Sequence, residues 1–299
     1  MNEHAADAGD VLKHLLLAQV LHLERGRIAV YMDTHAGRPW NDLTRPGYRF
    51  CRERRRGPAW ADEFMEAATS GALGRPVLEA RYTALLRQTF SNGSTLASPP
   101  IYPGSVGIAR ELLSGDAALE WFCGEQDRAD RNALARELPK GAAIWDTLLA
   151  PTAMARVERL RRCVRPETFV LVDPFRLAQS GRRSPDWYDA LCARRFTVQA
   201  ARQGALVMAW YALHRPGTPA IIEKEIWDQL TTPPLRPTRC LKLEIRWSQS
   251  NSQALSGAGL IIANLARQET AHQLDALAGA LEPLYSPHRN AWSKKFDLQ

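Results

Sequence analysis

The chain has 299 residues, 45% of them apolar, enough for a full core in one large domain or one domain carrying an insertion. No stretch approaches the roughly 18 to 20 uncharged apolar residues of a membrane span, and Met1 to Asp10 lacks the basic-then-apolar pattern of a signal peptide, so a cytoplasmic location is expected. The formal net charge of +7 favours encounter with a polyanion such as nucleic acid. Much of the excess is arginine, in groups such as Arg52, Arg54, Arg55 and Arg56, then Arg159, Arg161 and Arg162, then Arg182 and Arg183. Each group reads equally as a solvated helix face. The cysteines (Cys51, Cys123, Cys163, Cys192, Cys240) are scattered, with no close pair and no Cys/His cluster at zinc spacing, so neither disulfides nor a metal site is expected.

In chain order, Asp10 to Leu23 has helical apolar spacing and leads into Arg27 to Thr34, a short run of strand type. From Asn41 to Pro99 the pattern changes to arginine- and alanine-rich helical segments, broken at Arg56-Gly57-Pro58 and Ser91-Asn92-Gly93-Ser94. Residues 41–99 are therefore expected to form a helical insertion subdomain, with 1–40 and 100–299 as the main domain. Strand candidates then alternate with helical segments: Ala118 to Glu125, Ala142 to Thr147, Thr168 to Pro174, Ala205 to Leu213, Cys240 to Trp247 and Gly259 to Asn264. This alternation predicts an α/β fold with a mostly parallel, doubly wound sheet. In such sheets ligands lie beyond the carboxyl ends of the strands, near the point where strand order reverses.

Polar residues follow these strands. Asp33-Thr34-His35-Ala36-Gly37 turns out of the first strand through small residues, which suits close backbone approach to a cofactor and also suits an ordinary turn. Glu125 ends the second strand, where a carboxylate can accept ribose hydroxyls of an adenosyl group, and Asp146 ends the third, where one can accept from an adenine amino group. Exposed acids at strand ends look the same. Asp173-Pro174-Phe175-Arg176 follows the apolar run Phe169 to Val172. A base amino nitrogen is a poor nucleophile because its lone pair is delocalised. A carboxylate and a carbonyl holding its two N–H groups reduce that delocalisation, and an aromatic ring can stack on a flipped base. A plain strand-ending turn is the competing reading. Near the N-terminus, His4, Lys13 and His14 can contact phosphate, a cofactor carboxylate or a substrate base, or simply form a basic helix face. No nucleophile elbow of the G-x-S-x-G type occurs.

Taken in order, these segments resemble one family. His4-Ala-Ala-Asp-Ala-Gly-Asp-Val-Leu-Lys-His14 is similar to the N-terminal H-A-G-N-x-A-D-V-x-K-H stretch of the bacterial 23S ribosomal RNA adenine-N6 methyltransferases of the RlmJ type. Asp33-Thr-His-Ala-Gly37 resembles their D-T-H-A-G loop, and Tyr102-Pro-Gly-Ser105 with Ile108-Ala-Arg110 their Y-P-G-S-x-x-I-A-R segment. Asp173-Pro174 stands where they have D-P-P-Y, and Ser256-Gly-Ala-Gly-Leu-Ile-Ile-Ala-Asn264 resembles their closing S-G-M-x-x-x-N strand. Phe175 and Arg176 replace the family's second proline and tyrosine, and Arg38-Pro39-Trp40 replaces a further Ala-Gly.

The resemblance implies a class I methyltransferase (Rossmann-like) sheet with a helical insertion after the first strand. It also implies S-adenosylmethionine as cofactor and RNA, specifically 23S ribosomal RNA, as partner. The cofactor residues would be His14, Asp33, His35, Gly37, Ser105, Glu125, Asp146 and Asp173. Asp173, Pro174 and Phe175 would form the catalytic set, and His4, Lys13, Arg176, Arg182 and Arg183 would meet the substrate. Two other readings stay open on sequence: a nucleic-acid-binding descendant without turnover, and methylation of DNA or a small molecule.

Overall fold

The computed structural model describes residues 5–44, 61–91, 101–115, 118–146, 162–174, 185–213, 221–232, 239–246, 257–285 and 291–298. The first helix, α1, spans Ala8–Glu24 and begins on an Asp7 side chain that accepts the Asp10 N–H at 2.9 Å. Its leucines and valines are buried nearly all round, so α1 runs inside the molecule with helices on one side and the sheet on the other.

The strands are β1 Val30–Asp33, β2 Trp40–Asp42, β3 Ile101–Pro103, β4 Glu120–Gly124, β5 Ala143–Trp145, β6 Thr168–Val172, β7 Leu206–Leu213, β8 Arg239–Arg246, β9 Gly257–Ala263 and β10 Ala291–Leu298. Eight of them form one sheet in the order β10-β8-β9-β7-β6-β1-β4-β5, and β2 with β3 makes a separate ribbon. From β5 through β4, β1 and β6 to β7 all neighbours are parallel, whereas β9 is antiparallel to both β7 and β8, and β10 to β8. The chain leaves β1 in one direction, to β4 and β5, and returns to the other side of β1 with β6. The order therefore reverses between β1 and β6, the place at whose carboxyl ends sheets of this kind bind their ligands.

The strands read as continuous apolar runs because both faces of the sheet are covered. On one face Tyr31, Phe169, Leu171, Met208, Trp210, Leu241 and Leu260 pack with α1. On the other Met32, Val170, Val172, Val207, Ala209, Tyr211 and Ile261 pack with Phe196 of the helix Pro185–Arg202. The remaining helices used below are α2 Ala61–Ser70, α3 Arg75–Leu78, α4 Arg81–Ser91, α5 Ser105–Leu113, α6 Arg128–Glu137, α7 Pro185–Arg202 and α8 Gln268–Gly279. Phe64, Tyr82 and Leu86, from α2 and α4, share the α1 core, so the described helices of 41–99 are packed into the main body.

Every strand run expected from sequence is present, with ends moved by at most three residues. The runs expected at Ala142 to Thr147 and Gly259 to Asn264, for example, form Ala143–Trp145 and Gly257–Ala263. The small β2–β3 ribbon and β10 were not foreseen. β2 and β3 have three residues each, and β10 is an edge strand whose Ser293, Lys294 and Lys295 hide its pairing role behind polar residues.

Between β7 and β8, the register sets Gly259 of β9 beside Tyr211 on one side and Glu244 on the other. The missing side chain lets the Tyr211 ring lie across β9 and donate to Glu244 Oε1 at 2.6 Å. A methyl group on Gly259 would fall under 3.0 Å from that ring. Gly259→Ala should therefore displace a fully buried tyrosine and lower unfolding free energy by about 2–3 kcal/mol, read as a reduced urea midpoint at unchanged slope.

Candidate functional site at the carboxyl edge of the sheet

Asp33, the last residue of β1, is completely buried. Its Oδ2 accepts from Ser105 Oγ at 2.6 Å and from Tyr31 OH at 3.3 Å, and its Oδ1 accepts the His35 N–H at 3.0 Å. Burial pushes this carboxyl above its usual range against the pull of those donors. Asp33 thus holds the turn after β1 to the first residue of α5. His35 is half-buried, and its Nδ1 lies 2.8 Å from Thr34 Oγ1.

The turn continues to Gly37, whose φ of 61° lies in the left-handed region and aims its N–H at Glu125 Oε2, 2.8 Å away. Glu125 Oε1 accepts the Asp127 N–H at 2.8 Å. The carboxylate therefore joins the loops after β1 and β4, and among the described residues one acceptor position is left on each oxygen. Asp146 stands further out, exposed and paired with Arg131 at 2.6 Å. Arg131 also donates to the Glu125 carbonyl at 2.9 Å, so Asp146 and Glu125 border the same edge.

The bulky Arg38-Pro39-Trp40 step is taken up by packing away from this turn. The Pro39 carbonyl accepts the Gly104 N–H at 2.8 Å, Arg38 reaches Asp130 of α6, and Trp40 Nε1 donates to Glu137 at 3.3 Å.

Beyond β6, Asp173 lies against α1. Lys13, only 6% exposed, donates to Asp173 Oδ2 at 2.6 Å and to Asp10 Oδ1 at 2.7 Å, and its ammonium lies 5.5 Å from the Trp210 ring centroid on β7. Burial pushes the Asp173 carboxyl up to about 6, opposed by Lys13 and reinforced by Asp10 and Asp33. Burial alone would lower the Lys13 ammonium, but Asp10 and Asp173 together hold it well above its ordinary value. His14, one residue on, contacts Tyr102 OH through Nδ1 at 2.7 Å, and Tyr102 contacts Tyr82 OH at 2.9 Å. Burial, then the Lys13 charge, lowers His14 to about 3, so it is neutral.

The structure thus joins Lys13 to Asp173, Asp33 to His35 and Ser105, and Gly37 to Glu125. His14 turns to the tyrosines Tyr82 and Tyr102, Asp146 sits on the rim, and Pro174 is buried beside Asp173. His4, Phe175, Arg176, Arg182 and Arg183 lie outside the described residues. Asp7 and Asp10 stand in the N-terminal stretch singled out from sequence, but the sequence reading gives them, and Trp210, no role at the site. The three-residue step from Asp10 to Lys13 was a readable helical pair, whereas Trp210 reaches the site only through the β6–β7 register.

Two buried indole donors at this end, Trp145 Nε1 and Trp210 Nε1, have no hydrogen-bond partner among the described residues. Such groups cost stability unless something satisfies them. No group of three or more His, Cys, Asp or Glu residues is placed to hold a metal, and no helix is long and apolar enough to cross a membrane, among the described residues.

Fold and edge together define a mixed α/β protein with a mostly parallel, doubly wound sheet and a carboxylate-rich cluster at its switch point. Among solved structures the chain is similar to the protein LPL1258 of Legionella pneumophila strain Philadelphia 1, described as belonging to DUF519. The two are 17% identical with a TM-score of 0.69, and the match covers 98% of each chain, which shows a shared fold. No family model matches the chain, and no curated protein matches it.

Asp7 supplies a pH test. Burial, with the neighbouring Asp10 charge, raises its carboxyl from 3.8 to about 7. The folded state then binds this proton more tightly than the unfolded state, so Asp7 costs stability progressively as pH rises from about 4 to about 7. Asp7→Asn keeps an oxygen to cap α1 but cannot ionise. It should match the wild type near pH 4 and exceed it by about 1–3 kcal/mol at pH 8, measured by urea unfolding. Parallel stability profiles for the two proteins would rule the assignment out.

Proposed function

We propose that this chain is an S-adenosylmethionine-dependent methyltransferase of class I fold that methylates an adenine amino group in RNA. The sequence resemblance points to 23S ribosomal RNA. The observation that carries the reading is the placement of Asp173, held by Lys13, at the β1–β6 switch point beside the Asp33–Ser105 and Gly37–Glu125 pairs.

The residues at this edge fit the cofactor's chemistry. Glu125 retains acceptor positions suited to ribose hydroxyls, and Trp145 offers an unsatisfied indole donor suited to a ring nitrogen of adenine. Carboxylates outnumber cations around Lys13, with Asp10, Asp33 and Asp173 facing it, and that balance favours a ligand carrying positive charge. S-adenosylmethionine, when bound, supplies a methyl group made electrophilic by its sulfonium centre.

Asp173 does the positioning. Lys13 occupies Oδ2, and no other donor among the described residues reaches the carboxylate, so Oδ1 is left to accept an N–H of the target amino group. The Pro174 carbonyl would take the second N–H, which localises the nitrogen lone pair. A carboxyl raised to about 6 can also take up the proton that the amino group sheds near neutral pH. His4, Arg176, Arg182 and Arg183 are assigned to phosphate and base contacts by the resemblance alone.

The test is methyl incorporation from tritiated cofactor into protein-free RNA by the purified chain, beside calorimetry of cofactor binding. Asp173→Asn, which keeps an oxygen to accept from Lys13, should still bind cofactor measurably and lose about 100-fold or more of turnover. Cofactor affinity without incorporation into any RNA or DNA would remove the proposed activity. Salt-dependent RNA binding without cofactor affinity would identify a nucleic-acid-binding protein instead.

A further inference from the structure

We propose that Asp10 is a positioning residue for Asp173, one that links the turn before α1 to that carboxylate by dividing the Lys13 ammonium between two acids. The proposal extends the reading of Asp173 given above and rests on it for its catalytic meaning.

Asp10 lies in the first turn of α1, one turn before Lys13, and its two oxygens face different partners. Oδ1 accepts from Lys13 Nζ at 2.7 Å, and Oδ2 accepts the Ala6 N–H at 2.9 Å. Lys13 then spans from Asp10 to Asp173 Oδ2 at 2.6 Å. A lysine stem is flexible, so a buried ammonium takes its position from the acceptors around it. Two carboxylates share it, where one would pull it into a closed pair.

Only a carboxylate satisfies both sides of Asp10. An amide has one acceptor oxygen, and its NH2 group would face either the Ala6 N–H or the Lys13 ammonium, donor against donor. The Ala6 contact is demanding in its own right. Ala6 has a φ of 70°, in the left-handed region that favours glycine, and its carbonyl accepts the Ala61 N–H of α2 at 3.0 Å. Asp10 thus fixes the turn through which the chain before α1 enters, as well as the ammonium that sets Asp173.

The charged groups that face Asp173 are Lys13 and Asp10 from α1 and Asp33 from β1, while β7 contributes the uncharged Trp210. Those facing Asp10 are Asp7, Lys13 and the neutral His14. Burial works to raise Asp10, but the Lys13 charge, its hydrogen bond and the Ala6 N–H hold it below its ordinary value, so it stays ionised while Asp173 titrates. Without the Asp10 charge, the attraction of Lys13 falls on Asp173 alone. Asp173 then ionises at lower pH and sits in a tighter pair with Lys13, less able to take a proton or release its position to the substrate.

The experiment is a carbon-13 NMR titration of the aspartate carboxyls in the full chain and in Asp10→Asn, with Asp173→Asn assigning the resonance. The Asp173 midpoint should move to lower pH in Asp10→Asn. In the methyl-transfer assay kcat should fall about 10-fold, with the acid limb of its pH profile moving the same way and cofactor affinity unchanged. An Asp173 midpoint that stays in place overturns the proposal. If Asp10→Asn does not fold, the same substitution in an Ala6→Gly background, which relieves the left-handed alanine, carries the titration. The midpoint is measured without turnover. A shifted midpoint in a chain that transfers no methyl group would therefore sink the proposed activity and leave the Asp10 linkage standing.

Discussion

A lysine ammonium that is 6% exposed has to be compensated where it lies, and the compensation of Lys13 joins the first helix to the centre of the sheet. Asp10 is its partner within α1, and Asp173, at the end of β6, is its partner across the molecule. Removing either acid leaves a buried charge short of a counter-charge, so helix position and site geometry are held by one interaction. Trp210 completes the enclosure from β7 with an aromatic face that tolerates a cation.

The same edge explains why so many acids collect there. Parallel strands deliver their carboxyl ends to one side of the sheet, and the strand order reverses there between β1 and β6. Asp33 and Glu125 are satisfied largely by N–H and hydroxyl groups of the loops they organise. Asp173 has the single Lys13 donor among the described residues. Spare acceptor capacity on Asp173 and, in part, on Glu125, beside an Asp33 committed to its turn, is the arrangement expected where a ligand is to be held.

Much of this was legible in the sequence, for identifiable reasons. Buried parallel strands such as Thr168–Val172 and Leu206–Leu213 announce themselves as apolar runs, and polar residues directly after them mark the carboxyl edge. Asp33, Glu125 and Asp173 were found in that way. What was not legible depends on register or on which partner a side chain chooses. Nothing local says that His14 turns to Tyr102 while Lys13 turns to Asp173, or that Trp210 faces α1 and Tyr211 the opposite side. Likewise the β10 edge strand carries Lys294 and Lys295, residues that protect an edge and disguise it at the same time.

The departures from the resembled motifs acquire physical meaning in this setting. Ala6 occupies the place of a glycine and adopts the left-handed conformation, at a cost of about 1 kcal/mol that the contacts to Asp10 and Ala61 offset. Asp7 occupies the place of an asparagine and still caps α1, but as a carboxyl raised to about 7 it spends part of the neutral range protonated, closest then to the amide it replaces. Arg38, Pro39 and Trp40 make their contacts with Gly104, Asp130 and Glu137, which leaves the Gly37 N–H and the Glu125 carboxylate in their places at the edge. In each of these cases the altered residue makes its contacts outside the Lys13–Asp173 pair, whose two residues both match the resembled motifs.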